Sequence, residues 1–204
     1  MGRAARREAV EIAPAHSLFL VGDGFETSTC GARSSDGIAV DGPWEVSPIC
    51  GGPAMPEKRT LEKLVGWETF AESFSGTMLY RTAFDLSNFL SNSHSSPQLY
   101  PITLSLGEVC EMARVRLNGR DLGVRFMAPY RLDVPQGVLK EKGNVVEIEV
   151  TNLGANRLRW NDLNGVRWKY FSDINMVGAD YKPLDAAKWK PFKSGLLGPV
   201  ELRW

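Results

Sequence analysis

Between residues 100 and 150 apolar and polar residues alternate with a period of two. Ile102, Leu104 and Leu106 alternate with Thr103 and Ser105, Ala113, Val115 and Leu117 with Arg114 and Arg116, and Val146, Ile148 and Val150 with Glu147 and Glu149. Successive side chains of a strand point to opposite faces, so each run predicts a strand with one buried and one wet face. Asn118-Gly119 lies between the second run and Leu122-Gly123-Val124. That dipeptide readily takes the positive φ angles of a two-residue turn, and it predicts an antiparallel hairpin. Further strands are expected at 44–46, 78–86, 130–134 and 200–204, most of them separated by Gly, Pro, Asn or Ser clusters. About eight strands at this spacing predict an all-β fold, an antiparallel β-sandwich or jelly roll. It is expected to run from about residue 38 to 204, with 1–37 as an N-terminal extension set off by the Gly/Ser-rich stretch 31–37.

Helical signal is thin: 56–67 (PEKRTLEKLVGW) and 185–188 (DAAK) predict only short turns of helix. The polar, Pro-interrupted stretch 91–98 reads as a solvated loop. Residues 152–198 are different, long and aperiodic, and they contain Trp160, Trp168, Tyr170, Phe171, Tyr181, Trp189 and Phe192. Long loops in compact domains usually carry function or pack against something.

Composition narrows the choice of function. The 204 residues contain 24 Lys and Arg and 24 Asp and Glu, so the chain as a whole exerts no general attraction on a phosphate backbone. This argues against a nucleic-acid partner. Glu8 and Glu11 interrupt the apolar residues after Arg3, Arg6 and Arg7, where a signal peptide would need roughly 7–15 apolar residues in a row. No run approaches the roughly 20 apolar residues of a membrane-spanning helix, so no membrane partner is expected. Cys30, Cys50 and Cys110 cannot all pair and are not spaced as metal ligands; one disulfide or free buried thiols are both open.

Catalytic and cofactor motifs are missing. His16 and His94 are the only histidines, too few for a two-histidine metal site unless both converge from distant positions. Gly22-Asp23-Gly24 lacks the following helical run that a dinucleotide-binding loop needs, and reads as a turn. No cofactor and no metal are expected. Two carboxylates held roughly 5–10 Å apart suffice to hydrolyse a glycoside. Asp162, Asp173, Asp180 and Asp185 all fall in the aromatic segment, but loop spacing says nothing of distance and no catalytic pair is assigned.

Five ordered blocks carry a family resemblance: 74–84 (FSGTMLYRTAF), 106–109 (LGEV), 113–123 (ARVRLNGRDLG), 129–134 (PYRLDV) and 144–152 (NVVEIEVTN). In this order they resemble the sugar-binding domain of β-galactosidase- and β-glucuronidase-type glycoside hydrolases, a galactose-binding-like jelly roll. Residues 42–46 (GPWEV), Asn156-Arg157, 168–171 (WKYF), 185–189 (DAAKW) and 194–200 (SGLLGPV) are similar to the C-terminal region of large α-L-rhamnosidase-type enzymes. The resemblance is strong over 42–200 and weaker before, where 12–21 (IAPAHSLFLV) looks like the closing strands of a preceding domain, of which the extension 1–37 would then be the end. It implies a secreted or periplasmic setting and places the catalytic carboxylates on a separate upstream barrel, for which the 40 residues before Gly42 leave no room.

The expected function is therefore a non-catalytic carbohydrate-binding-like accessory domain of a glycoside hydrolase, with no turnover by this chain alone. The alternatives are a purely structural or interaction sandwich that buttresses a catalytic domain, or an independent small enzyme. The partner is then a plant-type or bacterial oligosaccharide, or a catalytic barrel domain. Sugars present apolar C–H faces to aromatic rings and hydroxyls to charged or amide groups. The candidate contacts, to carbohydrate or to a neighbouring domain, are Trp160, Trp168, Tyr170 and Trp189 as stacking rings and Arg157, Asp162, Lys169 and Asp185 as polar partners.

Overall fold

The computed structural model describes residues 37–86, 102–169, 177 and 181–203. Its central strand is the one with the cleanest alternation. β10 (Asn144–Thr151) buries every second residue, and lies between β4 (Ser75–Phe84) and β7 (Met112–Leu117). β2 (Trp44–Gly52) and β3 (Arg59–Leu61) extend this sheet beyond β4, and β8 (Arg120–Arg125) closes its other side, giving the order β3-β2-β4-β10-β7-β8. A second sheet has the order β1-β12-β5-β9, from β1 (Gly37–Ala39), β5 (Ile102–Ser105), β9 (Arg131–Val134) and β12 (Glu201–Arg203). β6 (Glu108–Cys110) and β11 (Gly195–Gly198) pair as a small third sheet. Every named strand pair is antiparallel.

Register explains the two faces of the larger sheet. Val46, Tyr80, Ile148 and Val115 lie side by side across β2, β4, β10 and β7, all of them buried. One residue along, Glu45, Arg81, Glu147, Arg116 and Asp121 form the adjacent row, alternating in sign across five strands. A slip of one residue would exchange these rows, which fixes the register strongly. The inward row meets Leu104, Leu132 and Leu202 of the second sheet in one apolar cluster, so the fold is an all-β antiparallel sandwich. On the outer face Arg116 and Glu149 approach to 2.6 Å, and Arg114 and Asp121 to 2.6 Å. The turn between β7 and β8 is Asn118-Gly119 with φ of 52° and 79°, as the dipeptide requires.

Several elements differ from the sequence reading. Residues 56–67 form no helix: the segment supplies the edge strand β3, and the only helical turn nearby is a 3-10 turn at Trp67–Thr69. Pairing of Trp44, Glu45 and Val46 with Leu61, Thr60 and Arg59 outweighs the weak local helix preference. Residues 152–198 contain the helix α1 (Ala155–Leu163) and strand β11, while the turn expected at 185–188 is a 3-10 helix at Ala186–Lys188. Among the described residues there are twelve strands rather than about eight, because β1, β3, β6 and β11 are too short to show alternation. Cys50 is exposed and Cys110 half-buried, both as free thiols; Cys30, His16, His94 and the extension before Gly37 lie outside the described residues.

Candidate functional site

The aromatic segment caps the end of the larger sheet where β10 finishes. Asn152, the first residue past β10, accepts from the Gly76 amide at 2.9 Å and donates to the Phe74 carbonyl at 2.9 Å and to Ser194 Oγ at 3.1 Å. In the first turn of α1, Asn156 is buried and grips the returning chain. Its Oδ1 accepts from the Phe192 amide at 2.8 Å, and its Nδ2 donates to the Phe192 carbonyl at 2.8 Å and Ser194 Oγ at 3.1 Å. An amide side chain that satisfies both the N–H and the C=O of one residue replaces the missing strand ladder there.

Asp162, near the end of α1, is the hub of the cap. Oδ1 accepts from Trp168 Nε1 at 2.6 Å, and Oδ2 accepts from Lys169 Nζ at 2.8 Å and the Ala186 amide at 2.7 Å. Lys169 also donates to the Leu184 carbonyl at 2.5 Å and stands 5.0 Å from the Trp168 ring centroid. Burial opposes ionisation of Asp162, but the donors from Lys169, Trp168 and Ala186 together outweigh it and hold the carboxyl below the ordinary aspartate range. Asp185 caps the following 3-10 turn, accepting from the Ala187 amide at 3.2 Å, and pairs with Lys188 at 3.1 Å.

The eight candidate residues thus fall into groups. Asp162, Trp168 and Lys169 meet one another, and Asp185 lies next to Ala186, whose amide Asp162 receives. Arg157 is exposed, with its guanidinium laid against Gly52 at the end of β2, where a Cβ would come within 2.8 Å of Nη1. Trp160 and Trp189 are half-buried, and Trp189 meets Phe192 edge-on at 5.9 Å. Tyr170 lies outside the described residues.

Sequence reasoning missed the residues that hold this cap together. Arg159 donates to the Trp189 carbonyl at 2.8 Å and pairs with Glu72 at 2.5 Å, tying α1 to both the loop and the approach to β4. Asn152, Asn156 and Ser194 anchor the other side. The available signal was the spacing of the two asparagines, four residues apart just where strand alternation stops. Among the described residues no three His, Cys, Asp or Glu side chains gather as metal ligands, and no helix is long and apolar enough to cross a membrane.

Comparison with known proteins places this architecture. No protein-family model matches the chain. A candidate β-glucuronidase of Formosa agariphila is 30% identical over 185 residues, which is 81% of this chain and 15% of that protein. The structure of a rhamnosidase from Novosphingobium sp. PP1Y aligns with 84% of this chain and 16% of its own, at 27% identity and a TM-score of 0.61. A β-glucuronidase structure from Ruminococcus gnavus aligns with 82% of this chain and 28% of its own, at 17% identity and a TM-score of 0.49. The chain spans less than a third of the length of each.

Proposed function

Because the chain is related in sequence and fold to one domain-sized stretch of rhamnosidase- and β-glucuronidase-type glycoside hydrolases, we propose that it is a non-catalytic, carbohydrate-binding-like accessory module of such an enzyme. The module takes in residues 38–204 in a galactose-binding-like jelly roll, with 1–37 as an extension. The observation that carries this reading is the division of labour in the cap. Asp162, Lys169 and the Trp168 indole N–H are used on one another, which makes a rigid platform. Arg157, Trp160 and Trp189 are left with polar or aromatic surface to offer. A preformed aromatic surface with a few fixed polar groups is how sugars are held. Asp162 acts here as the platform's organiser, positioning Trp168 and the 184–186 backbone. It is a poor general acid, because its carboxyl is held ionised.

A second reading rests on a different observation. Leu163 and Phe192, at 53% and 46% exposure, widen the apolar surface of the cap, as expected of a face that packs on a catalytic domain. Calorimetric titration of the 204-residue chain with rhamnose- and galactose-containing oligosaccharides separates the two. Saturable binding is the expected result; its absence across such a panel would favour the buttressing role. Aryl-glycoside hydrolysis by the same sample is expected to be nil, and turnover lost in Asp162→Asn would overturn the non-catalytic assignment.

A further inference from the structure

Among the described residues, two that are not glycine have positive φ: Asn118 at 52° and Tyr181 at 58°. The first is explained where it stands. Asparagine tolerates the left-handed region in tight turns, and Asn118 turns the β7–β8 hairpin. Its side chain donates to the Val138 carbonyl and Asn144 Oδ1 and accepts from the Val145 amide. Tyr181 has no such account. A bulky aromatic residue rarely occupies that region, which glycine fills at no steric cost. Packing does not compensate for it either. Tyr181 is 78% exposed, more than any other large hydrophobic residue described, and it has no hydrogen bond or ring contact among the described residues.

The backbone beside this ring is nonetheless fixed. Pro183 pairs with Val177 in an isolated antiparallel bridge. The Leu184 carbonyl accepts from Lys169 and the Ala186 amide donates to Asp162, so 183–186 is held by the hub of the cap. Backbone strain that the surrounding structure enforces gathers at ligand-contacting positions. Tyrosine is suited to such a position, since it offers a broad ring on few rotatable bonds, and the C–H faces of sugars stack on it. Resting on the carbohydrate-binding reading above, we infer that Tyr181 is a ligand-contacting ring, stacked on the C–H face of a bound sugar and presented from a backbone that the Asp162–Lys169 hub fixes.

The experiment titrates the full chain with a β-galactan oligosaccharide and with a rhamnose-terminated oligosaccharide, and melts the same samples without ligand. The wild type is expected to bind one of them saturably. Tyr181→Gly should bind it at least about tenfold more weakly yet melt no lower than the wild type, because it relieves the strain and removes no packing. Tyr181→Phe keeps the ring and should bind within about threefold of the wild type. The bound oligosaccharide should also shield Tyr181 from nitration by tetranitromethane, read by peptide mass spectrometry. Wild-type affinity in Tyr181→Gly, or unshielded nitration of Tyr181 at saturation, would overturn the inference while leaving the carbohydrate-binding reading intact. A lowered melting temperature in Tyr181→Gly would overturn it as well, making the ring part of the packing. No binding of either oligosaccharide by the wild type would overturn both.

Discussion

Tyr80 shows how one side chain joins the core to the cap. Its hydroxyl accepts from Trp67 Nε1 at 2.5 Å and from the Leu196 amide at 3.2 Å, all within the buried interior. Tyr80→Phe leaves two buried donors unpaired and should cost roughly 1–3 kcal/mol in denaturant unfolding. The same site sets a pH dependence. Burial pushes the phenol up to about 12, with the two donors pulling partly the other way. The unfolded phenol titrates near 10, so the native state holds the proton longer. The stabilisation is complete below pH 10 and disappears as pH rises towards 12, by roughly 2–3 kcal/mol. Stability measured across that interval should fall less steeply in Tyr80→Phe than in the wild type. Gly195 adds a steric constraint: at φ of 97° any Cβ would run into Trp67 Nε1 and come within 2.7 Å of Tyr80 Oη. Gly195→Ala should lower stability by about 2 kcal/mol or more, read by thermal melting.

The α1 element shows what alternation conceals. The strands of the larger sheet are legible because their buried positions are apolar: Val146, Ile148 and Val150 appear in the sequence as plainly as in the sheet. The one buried residue of α1 is Asn156, so the helix has no apolar stripe to betray it. Its visible signal is at the end, where Asn164 and Gly165, the latter at φ of 65°, terminate the helix in a common way. β3 and β11 are hidden for another reason, since three- and four-residue strands depend on partners distant in sequence. The candidate site is legible as a composition and not as a network, because the pairing of Asp162 with Trp168, Lys169 and Ala186 exists only once α1 has formed. Asn156→Ala should release the 192–194 segment from α1, seen as faster amide exchange at Phe192 with protection in β10 unchanged. Asp162→Ala leaves a partly buried Lys169 without its partner and should cost roughly 1–3 kcal/mol. Because the folded carboxyl titrates below its unfolded value, Asp162's contribution is present above the unfolded aspartate range near 4 and is lost as pH falls through the folded value. Acid titration of the wild type and Asp162→Ala should therefore converge.

Across the whole molecule, the sandwich has an outer sheet face laced with alternating charges and one end closed by the aromatic cap. The alternating face compensates itself, whereas Trp160 and Trp189 are only half-buried at the cap. The central claim is that Trp160 and Trp189 are contact surface rather than core. It is tested by measuring glycan affinity and melting temperature together on Trp160→Ala and Trp189→Ala. The expected result is an affinity loss of about 2 kcal/mol or more, roughly thirtyfold, with the melting temperature nearly unchanged. A stability loss of roughly 3–5 kcal/mol in both variants, with no glycan bound by the wild type, would contradict the account and make the cap a structural loop.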